Sequence, residues 1–480
     1  MSNQKPTSFR WTVCALLFFA TTVNYLDRQV LSLTWKDFIA PEFHWTNSDY
    51  GNIAGIFTFV YSVSMLISGR LVDWFDTKKG YAWAIIIWSI GAILHAFTGI
   101  ATSGYLTGEW FVTFAQAKEN IALIENTSRV INVSVVLFII ARAVLAFGEG
   151  GNFPAAIKAT AEYFPKKDRA FSTSIFNAGT TVGALASPLI IPLLAEWYGW
   201  ETSFVIIGGL GFVWLGFWQF LYKKPEENPR VNQKELEYIN QDVELEDLDD
   251  NGEPKKEKVK ITTCLKFRQT WLFIVGKFMT DGVWWFLLFW IPAYLSSIYD
   301  IKSSDFEGQA AIFVLYAITL LSIIGGWLPT YFVDKKGMDP YQGRMRAMLI
   351  FAFFPLLILF AQPLGTYSYW FPVLLIGIGA AAHQSWSANI FSTVGDMFPK
   401  RAIATVTGIG GLAGGLGSFL INIFSGHLFD YAELTQLTFM GFRGEEAGYF
   451  IVFTFCAVAY LIAWVIMKTL VPKMETVRFD

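Results

Sequence analysis

Apolar residues in this chain fall into long blocks separated by shorter polar stretches. Twelve blocks are long enough to cross the hydrocarbon core of a bilayer, which takes about 20 residues of α-helix. Backbone polar groups inside lipid must be paired within their own segment, so each block is predicted to be helical. The pattern therefore predicts an all-α membrane protein with twelve transmembrane helices. The predicted spans are residues 11–35, 50–72, 81–100, 132–160, 170–194, 201–222, 271–297, 308–332, 345–363, 368–395, 402–428 and 447–470.

The composition agrees with this class of protein. Of the 480 residues, 54% are hydrophobic and 17% are aromatic, more than a soluble fold of this length could bury. The net charge of −3 is too small to indicate a nucleic-acid partner. The cysteines Cys14, Cys264 and Cys456 are far apart and odd in number, which predicts neither a disulfide framework nor a metal site. No cofactor is predicted. The first span is longer than the apolar region of a signal peptide, so it is expected to be a retained helix.

Basic residues are concentrated in alternate loops. They follow spans 2, 4, 8 and 10, whereas the loops on the other side contain few lysines or arginines. Positively charged loops stay on the cytoplasmic side of a membrane. Both termini are therefore predicted to be cytoplasmic, in a multi-pass protein of the cell (inner) membrane.

A charged, proline-containing stretch at residues 223–268 divides the chain. Its composition is typical of a solvated linker, with one short amphipathic helix predicted near residues 233–241. We therefore expect an N-terminal six-helix bundle at residues 1–222, a cytoplasmic linker, and a C-terminal six-helix bundle at residues 269–480. An insertion at residues 101–131, between spans 3 and 4 on the outer side, indicates no function.

The two predicted bundles repeat short sequences at matching places. Residues 69–80, after span 2, and residues 326–337, after span 8, both begin with glycine and end in Lys-Lys-Gly. Residues 164–167, after span 4, read Phe-Pro-Lys-Lys, and residues 398–401, after span 10, read Phe-Pro-Lys-Arg. Parallel repeats of this kind build transporters whose binding site lies at the interface between the repeats.

Charged residues interrupt two of the N-terminal spans. Asp27 and Arg28 lie in the middle of span 1, and Arg142 and Glu149 lie in span 4. Burying one such charge unpaired costs at least about 2.5–3.5 kcal/mol, so these side chains should face a cavity or one another. Arg142 and Glu149 are seven residues apart, which places them on one helical face about 10 Å from each other. Either a structural ion-pair network or a site for an anion and a proton would explain them.

Aromatic and polar side chains occur together in two C-terminal spans. The residues in question are Trp284 and Trp285 in span 7, and His383, Gln384, Trp386 and Asn389 in span 10. Aromatic faces pack against the C–H surface of a sugar ring, while amide and imidazole groups pair with its hydroxyls. The pattern therefore favours a polyhydroxylated ring as ligand. The alternative for a single tryptophan is packing against lipid or core, which explains the mid-membrane polar groups less well.

The glycine–acid–basic loop after span 2, with its weaker copy after span 8, resembles the hallmark of the major facilitator superfamily. This resemblance covers essentially the whole chain. In the first copy, Trp74 stands where a basic residue usually follows Asp73. The resemblance implies the major facilitator fold, in which two six-helix halves enclose a central site.

Residues 24–28, together with Arg142 and the glycines beside Glu149, resemble the anion:cation symporter family. Members carry organic anions such as sugar acids, sialic acid and glutamate, many of them with protons. Residues 176–180, 280–286 and 383–389 further resemble the bacterial hexuronate transporters of that family. Glycine stands at position 282, where relatives commonly have proline, and several relatives have a glutamine near residues 177–180.

The resemblance implies roles for individual residues. Arg28 would contact the substrate carboxylate, while Arg142 and Glu149 would link its binding to protonation, with Asp27 as a second proton carrier. Tyr61 falls where the family often has a substrate-facing tyrosine. The residues expected to contact the sugar are Tyr61, Asn177, Thr180, Trp284, Trp285, His383, Gln384, Trp386 and Asn389.

The sequence therefore predicts a monomeric secondary transporter, not an enzyme, that imports a hexuronate-type sugar acid with protons. Its partners would be the small organic anion, protons and the lipid bilayer. One alternative is a proton- or sodium-coupled carrier of another organic anion, such as an aldonate or a sialic acid. A membrane-embedded enzyme or a sensor is the alternative of a different class. No HExxH, GxSxG or phosphate-loop sequence supports an enzyme, and the linker is short for a signalling domain.

Overall fold

The computed structural model describes residues 6–241 and 260–478, and this part of the chain is almost entirely helical. The elements before the predicted linker are α1 (Phe9–Thr34), a π-helical turn (Trp35–Ile39), α2 (Ala40–Phe43), α3 (Asn47–Phe75), α4 (Thr77–Ala96), α5 (Thr98–Thr107), α6 (Phe114–Ala122), α7 (Thr127–Glu149), α8 (Asn152–Tyr163), α9 (Lys166–Tyr198) and α10 (Trp200–Leu221).

The described part of the predicted linker contains a 3₁₀ turn (Pro225–Glu227), α11 (Gln233–Ile239) and α12 (Ile261–Cys264). The elements after it are α13 (Arg268–Tyr299), α14 (Phe306–Ile318), a 3₁₀ turn (Thr319–Ser322), α15 (Ile323–Lys336), α16 (Pro340–Phe353), a 3₁₀ segment (Phe354–Phe360), α17 (Ala361–Gly365), α18 (Trp370–Met397), α19 (Lys400–Thr435), the strands β1 (Thr438–Phe439) and β2 (Phe442–Arg443), and α20 (Glu445–Leu470).

All twelve predicted spans coincide with helices. Eleven of the helical segments in the described part are long and apolar enough to cross a membrane. The remaining predicted span forms α18, a helix of 28 residues. Its mean hydropathy is lowered by the polar run His383, Gln384 and Ser385 in the middle of the helix. The fold class is therefore the one that the hydrophobic pattern predicts.

Local structure differs from the prediction where the pattern carries no signal. The first span continues beyond α1 through the π-helical turn into α2, which ends at His44 in a left-handed conformation (φ 60°). Antiparallel β1 and β2 form a small hairpin whose turn residues Met440 and Gly441 both have positive φ, as a tight two-residue turn requires. A short helix, α11, forms where the linker sequence predicts one.

The insertion at residues 101–131 folds into helices and is tied to its own half. In α6, Lys118 Nζ lies 3.5 Å from a carboxylate oxygen of Glu42 and 3.3 Å from one of Glu201. Trp200 Nε1 donates a hydrogen bond of 2.8 Å to Glu42 as well. The insertion is therefore anchored to the ends of the first and sixth spans.

Two long helices, α3 and α19, pack against each other across the two halves. A Cβ atom added to Gly51 would lie 2.7 Å from the carbonyl oxygen of Asn422, and one added to Gly426 would lie 2.4 Å from that of Asn47. Glycine at both positions lets the two backbones approach closely.

Parts of the repeated loops fall outside the described residues. This concerns the side chains of Arg70, Val72 and Asp73 in the first loop, and those of Lys166, Lys167, Lys400 and Arg401 in the second pair of repeats. Residues 242–259 of the predicted linker also lie outside the described ranges. The division at residues 223–268 therefore stays a prediction.

Candidate functional site

Arg28 on α1 and Glu149 at the end of α7 form an ion pair in the interior of the protein. The guanidinium donates through Nε and one terminal nitrogen to the same carboxylate oxygen, at 3.0 and 2.8 Å. The two side chains are 3% and 0% exposed. Among the described residues, the second oxygen of Glu149 has no hydrogen-bond partner. The arginine predicted to contact a substrate carboxylate is thus already paired with a carboxylate of the protein.

Aromatic rings surround the guanidinium of Arg28. Its central carbon lies 4.7 Å from the ring centroid of Tyr61 on α3, 4.8 Å from that of Trp285 on α13, and 5.0 Å from that of Tyr25 on α1. The negative faces of such rings attract a cation without neutralising it. Because Trp285 belongs to the second half of the chain, the ion pair lies at the interface between the halves.

Arg142 lies beside this pair but is only partly satisfied. One terminal nitrogen donates a hydrogen bond of 3.1 Å to the backbone carbonyl of Arg28, and the guanidinium lies 4.4 Å from the ring centroid of Phe57. Its Nε and other terminal nitrogen have no partner in the described part of the chain. A buried cation with free donors is costly unless a ligand or water completes its hydrogen bonds.

Asp27 and Asn24 add further unsatisfied polar groups on α1. Asp27 is 1% exposed and Asn24 is 0% exposed. Neither oxygen of Asp27, and neither side-chain polar atom of Asn24, finds a partner within the described ranges. Asn24 is absent from the residues predicted to form the site. The sequence feature that could have identified Asn24 is its position within an apolar span, three residues before the carboxylate of Asp27.

In the second half, the predicted ring-binding residues form a cluster of their own. Trp284 stacks on His383, with centroids 5.3 Å apart and ring planes at 10°. The Nδ1 atom of His383 shares a hydrogen bond of 2.8 Å with the hydroxyl of Tyr460 on α20. Trp386 is fully buried, and its ring centroid lies 5.5 Å from that of Tyr460. Gln384 beside them is half-buried.

Three predicted site residues make their hydrogen bonds away from both clusters. The amide nitrogen of Asn389 donates to the backbone carbonyls of Gly325 and Ser385, at 2.9 and 2.8 Å, so it faces α15. On α9, Asn177 is exposed, and its backbone carbonyl accepts a hydrogen bond of 2.7 Å from the hydroxyl of Thr180. The structure therefore brings together Asp27, Arg28, Tyr61, Arg142, Glu149 and Trp285 in one group, and Trp284, His383 and Trp386 in another.

Hydrogen bonds join the two halves at the end of the molecule where α3 begins. Asp430 of α19 accepts from the backbone N–H groups of Asn47 and Ser48, at 2.9 and 2.7 Å. A carboxylate at the start of a helix is favoured by the free N–H groups and the helix dipole. Asp37 accepts from the hydroxyl and the backbone N–H of Ser303, at 2.8 and 2.9 Å. These contacts close this end of the interface.

The structure contains a second buried ion pair that was not predicted from the sequence. Lys277 and Asp281 on α13 are 2.7 Å apart, with side chains 7% and 15% exposed. The signal was present, since opposite charges four residues apart on a helix lie on one face. No group of three or more histidine, cysteine, aspartate or glutamate side chains in the described residues is arranged to hold a metal ion.

The two halves meet around buried ion pairs in membrane-spanning helices. This arrangement is typical of a membrane transporter, the class of protein that the repeated loops after spans 2 and 8 also indicate. The chain matches the Major Facilitator Superfamily over residues 17–422, and it belongs to that family. This membership confirms the predicted fold class, the multi-pass membrane location, and the prediction of a transporter rather than an enzyme.

Individual relatives are more distant. The chain is 26% identical over 438 residues to the hexuronate transporter of Escherichia coli (strain K12), covering 90% of this chain and 91% of the relative. It is 25% identical over 329 residues to the galacturonate transporter of Dickeya chrysanthemi, covering 68% and 84% of the two chains. Among solved structures, a bacterial homologue of the human lysosomal transporter Spinster matches with a TM-score of 0.69 and 18% identity, covering 98% of this chain and 97% of that one. The structural match supports the fold.

Proposed function

We propose that this protein is a proton-coupled symporter that imports a hexuronate-type sugar acid across the cell inner membrane as a monomer, with both termini in the cytoplasm. The observation that carries the proposal is the ion pair between Arg28 and Glu149, which is buried at the interface of the halves. The similarity to proteins named as hexuronate and galacturonate transporters supports the substrate class. The two six-helix bundles would be residues 1–222 and 269–480.

The coupling step is an exchange of partners on Arg28. A proton binds to Glu149, which then no longer competes as an anion, and the substrate carboxylate takes its place on the guanidinium. The planar fork of arginine can donate two parallel hydrogen bonds to that carboxylate. The two nitrogens of Arg142 that have no partner in the described part of the chain would donate to the same anion.

This exchange conserves the charge of the site. The empty site holds one arginine cation paired with one glutamate anion. The loaded site would hold the same cation paired with the substrate anion, beside a neutral glutamic acid. The two forms carry the same net charge, whereas a site with only the proton or only the anion bound differs from them by one charge, which is costly in the membrane. Proton and substrate therefore favour each other's binding, and the effect is reciprocal.

The sugar itself would be held between the two groups of side chains. Trp284 and Trp285 are neighbours on α13. The ring of Trp284 stacks on His383, and the ring of Trp285 lies against the guanidinium of Arg28. A ring substrate anchored by its carboxylate on Arg28 would extend toward Trp284, His383, Gln384 and Trp386. Asp27 would be a second proton carrier, and Tyr61, Asn177, Thr180 and Asn389 are proposed contacts for hydroxyl groups.

Uptake by purified protein in liposomes tests this proposal. Labelled glucuronate should accumulate when an inward proton gradient is imposed, and a sodium gradient alone should not drive accumulation. Labelled gluconate and sialic acid, measured in parallel, distinguish the hexuronate from other organic anions, since all share the carboxylate that Arg28 would bind. Accumulation driven only by sodium, or of no sugar acid at all, would contradict the proposed function.

A further inference from the structure

The ion pair of Lys277 and Asp281 lies in the second half of the chain, outside the residues assigned above. Its charged atoms are 2.7 Å apart, and the ammonium also lies 4.4 Å from the ring centroid of Phe391 on α18. Lys277 is the more deeply buried partner, and part of Asp281 stays accessible. Two charges held in the middle of a membrane span are retained at a cost, which makes a functional role the first expectation.

Asp281 lies against α19, the helix of its own half that packs on α3 of the other half. A Cβ atom added to Gly414 of α19 would lie 2.2 Å from a carboxylate oxygen of Asp281, and one added to the next residue, Gly415, would lie 1.5 Å from the hydroxyl of Ser62 on α3. Asp281 and Ser62 thus contact neighbouring positions of α19, and Ser62 is next to Tyr61, whose ring lies 4.7 Å from the guanidinium of Arg28. The second ion pair and the first therefore border the same interface.

The spacing along α13 relates the two sites. Asp281 is four residues before Trp285, whose ring covers Arg28, and three residues before Trp284, whose ring stacks on His383. Four residues correspond to about 6 Å along the helix axis and to nearly the same face. A molecule whose carboxylate lies on Arg28 would thus present its other end to Asp281 one helical turn away.

We propose that the ion pair of Lys277 and Asp281 is a second binding subsite, which accepts the hydroxylated end of a sugar acid with one carboxylate and excludes sugar acids with a carboxylate at each end. This inference rests on the proposed function. Hydroxyl groups donate hydrogen bonds to a carboxylate and accept them from an ammonium, so a neutral pair suits a polyol. A second carboxylate would instead meet the anion of Asp281, while the cation of Lys277 is already neutralised.

The wild-type protein supplies the first arm of the test. Glucuronate, with one carboxylate, and glucarate, with two, are compared as competitors of labelled glucuronate uptake in liposomes. Glucuronate should compete more strongly by at least about fivefold, because the carboxylate of Asp281 would repel the second carboxylate of glucarate. A smaller ratio, with uptake of glucuronate intact, overturns the subsite while the proposed function stands. Absence of any glucuronate uptake removes the proposed function and this inference together.

The variant Asp281→Asn supplies the second arm. It removes the repelling carboxylate and leaves the ammonium of Lys277 without its counter-ion, so the preference for glucuronate should fall by at least about fivefold. Asp300→Asn, at the exposed end of the same helix, makes the same chemical change and should keep the wild-type ratio. An unchanged ratio in Asp281→Asn would overturn the subsite, even if total uptake decreases.

A double variant covers the case in which Asp281→Asn does not fold because Lys277 is left unpaired. Lys277→Gln with Asp281→Asn removes both charges and leaves a neutral amide pair of similar size. The repulsion of a second carboxylate is lost in this variant too, so the preference for glucuronate should again fall by at least about fivefold. Retention of the wild-type ratio by a folded double variant would assign the ion pair a purely structural role.

Discussion

Glu149 accepts two hydrogen bonds from Arg28 through one carboxylate oxygen, while its other oxygen has no partner among the described residues. A purely structural ion pair in a membrane protein is expected to satisfy both oxygens, because unsatisfied buried polar atoms reduce stability. This half-satisfied pair can exchange its partners at little cost.

Arg28→Lys keeps the charge and removes the planar fork. Substrate affinity should fall by at least about tenfold, equivalent to about 1.4 kcal/mol, because a lysine cannot donate two parallel hydrogen bonds to one carboxylate. Competition of uptake in liposomes measures this change. Arg129→Lys, at an exposed position near the start of α7, is the matched control and should bind as the wild type does. Normal transport by Arg28→Ala would make Arg28 a structural residue.

Trp284 and Trp285 should have different functions although they are adjacent. Trp285→Ala removes a ring that lies 4.8 Å from the Arg28 guanidinium, so it should weaken the binding of every organic acid that competes. Trp284→Ala removes the ring stacked on His383 and should mainly reduce the preference for ring-shaped acids over open-chain acids. Competition curves for glucuronate and gluconate separate the two effects. Unaltered curves in both variants would exclude an aromatic platform for the sugar.

Neutral sugars should not compete with sugar acids. Glucose has the hydroxyl groups of glucuronate but lacks the carboxylate that would replace Glu149 on Arg28. Without that anion the protonated site would keep an uncompensated arginine, which is unfavourable within the membrane. Inhibition of labelled glucuronate uptake by glucose, compared with inhibition by galacturonate, measures this difference. Equal inhibition by the two sugars would refute an anion site.

Asp430→Asn should weaken the contact that closes one end of the interface. The carboxylate of Asp430 accepts from the first N–H groups of α3, and a neutral amide binds such donors less strongly. Spin labels on cysteines introduced at the exposed positions His44 and Leu434 should show a larger population of long distances in this variant. The native cysteines are buried, so labelling should be specific. An unchanged distance distribution would mean that other contacts hold this end closed.

Much of the fold could be predicted from the sequence because the membrane imposes length and polarity on each span. The charges at Arg28 and Glu149 stood out for the same reason. Their pairing did not stand out, because the sequence leaves open whether Glu149 faces Arg28 on another helix or Arg142 on its own helix. How far α1 and α7 are rotated about their axes decides the partner, and rotation is set by packing that a single sequence does not reveal.

Other parts of the site show the same limit. The sequence predicts that Asn389 contacts a hydroxyl group of the sugar, and it does not reveal that the amide nitrogen also donates to the carbonyl of Gly325 on α15. Adjacent residues of a helix point about 100° apart, and Trp284 and Trp285 accordingly contact different clusters in the structure. Lys277 and Asp281 carried a readable signal at four-residue spacing, yet only their burial together makes them a candidate subsite.

The variant Glu149→Gln tests the proposed coupling most directly. The amide keeps the shape of the protonated side chain and can still accept from Arg28, but it cannot carry a proton. This variant should exchange labelled glucuronate across liposomes at zero gradient and should fail to accumulate it when an inward proton gradient is imposed. Glu119→Gln, at an exposed position of the insertion, should accumulate substrate as the wild type does. Proton-driven accumulation by Glu149→Gln at the wild-type level would contradict the account and leave Asp27 as the candidate proton carrier.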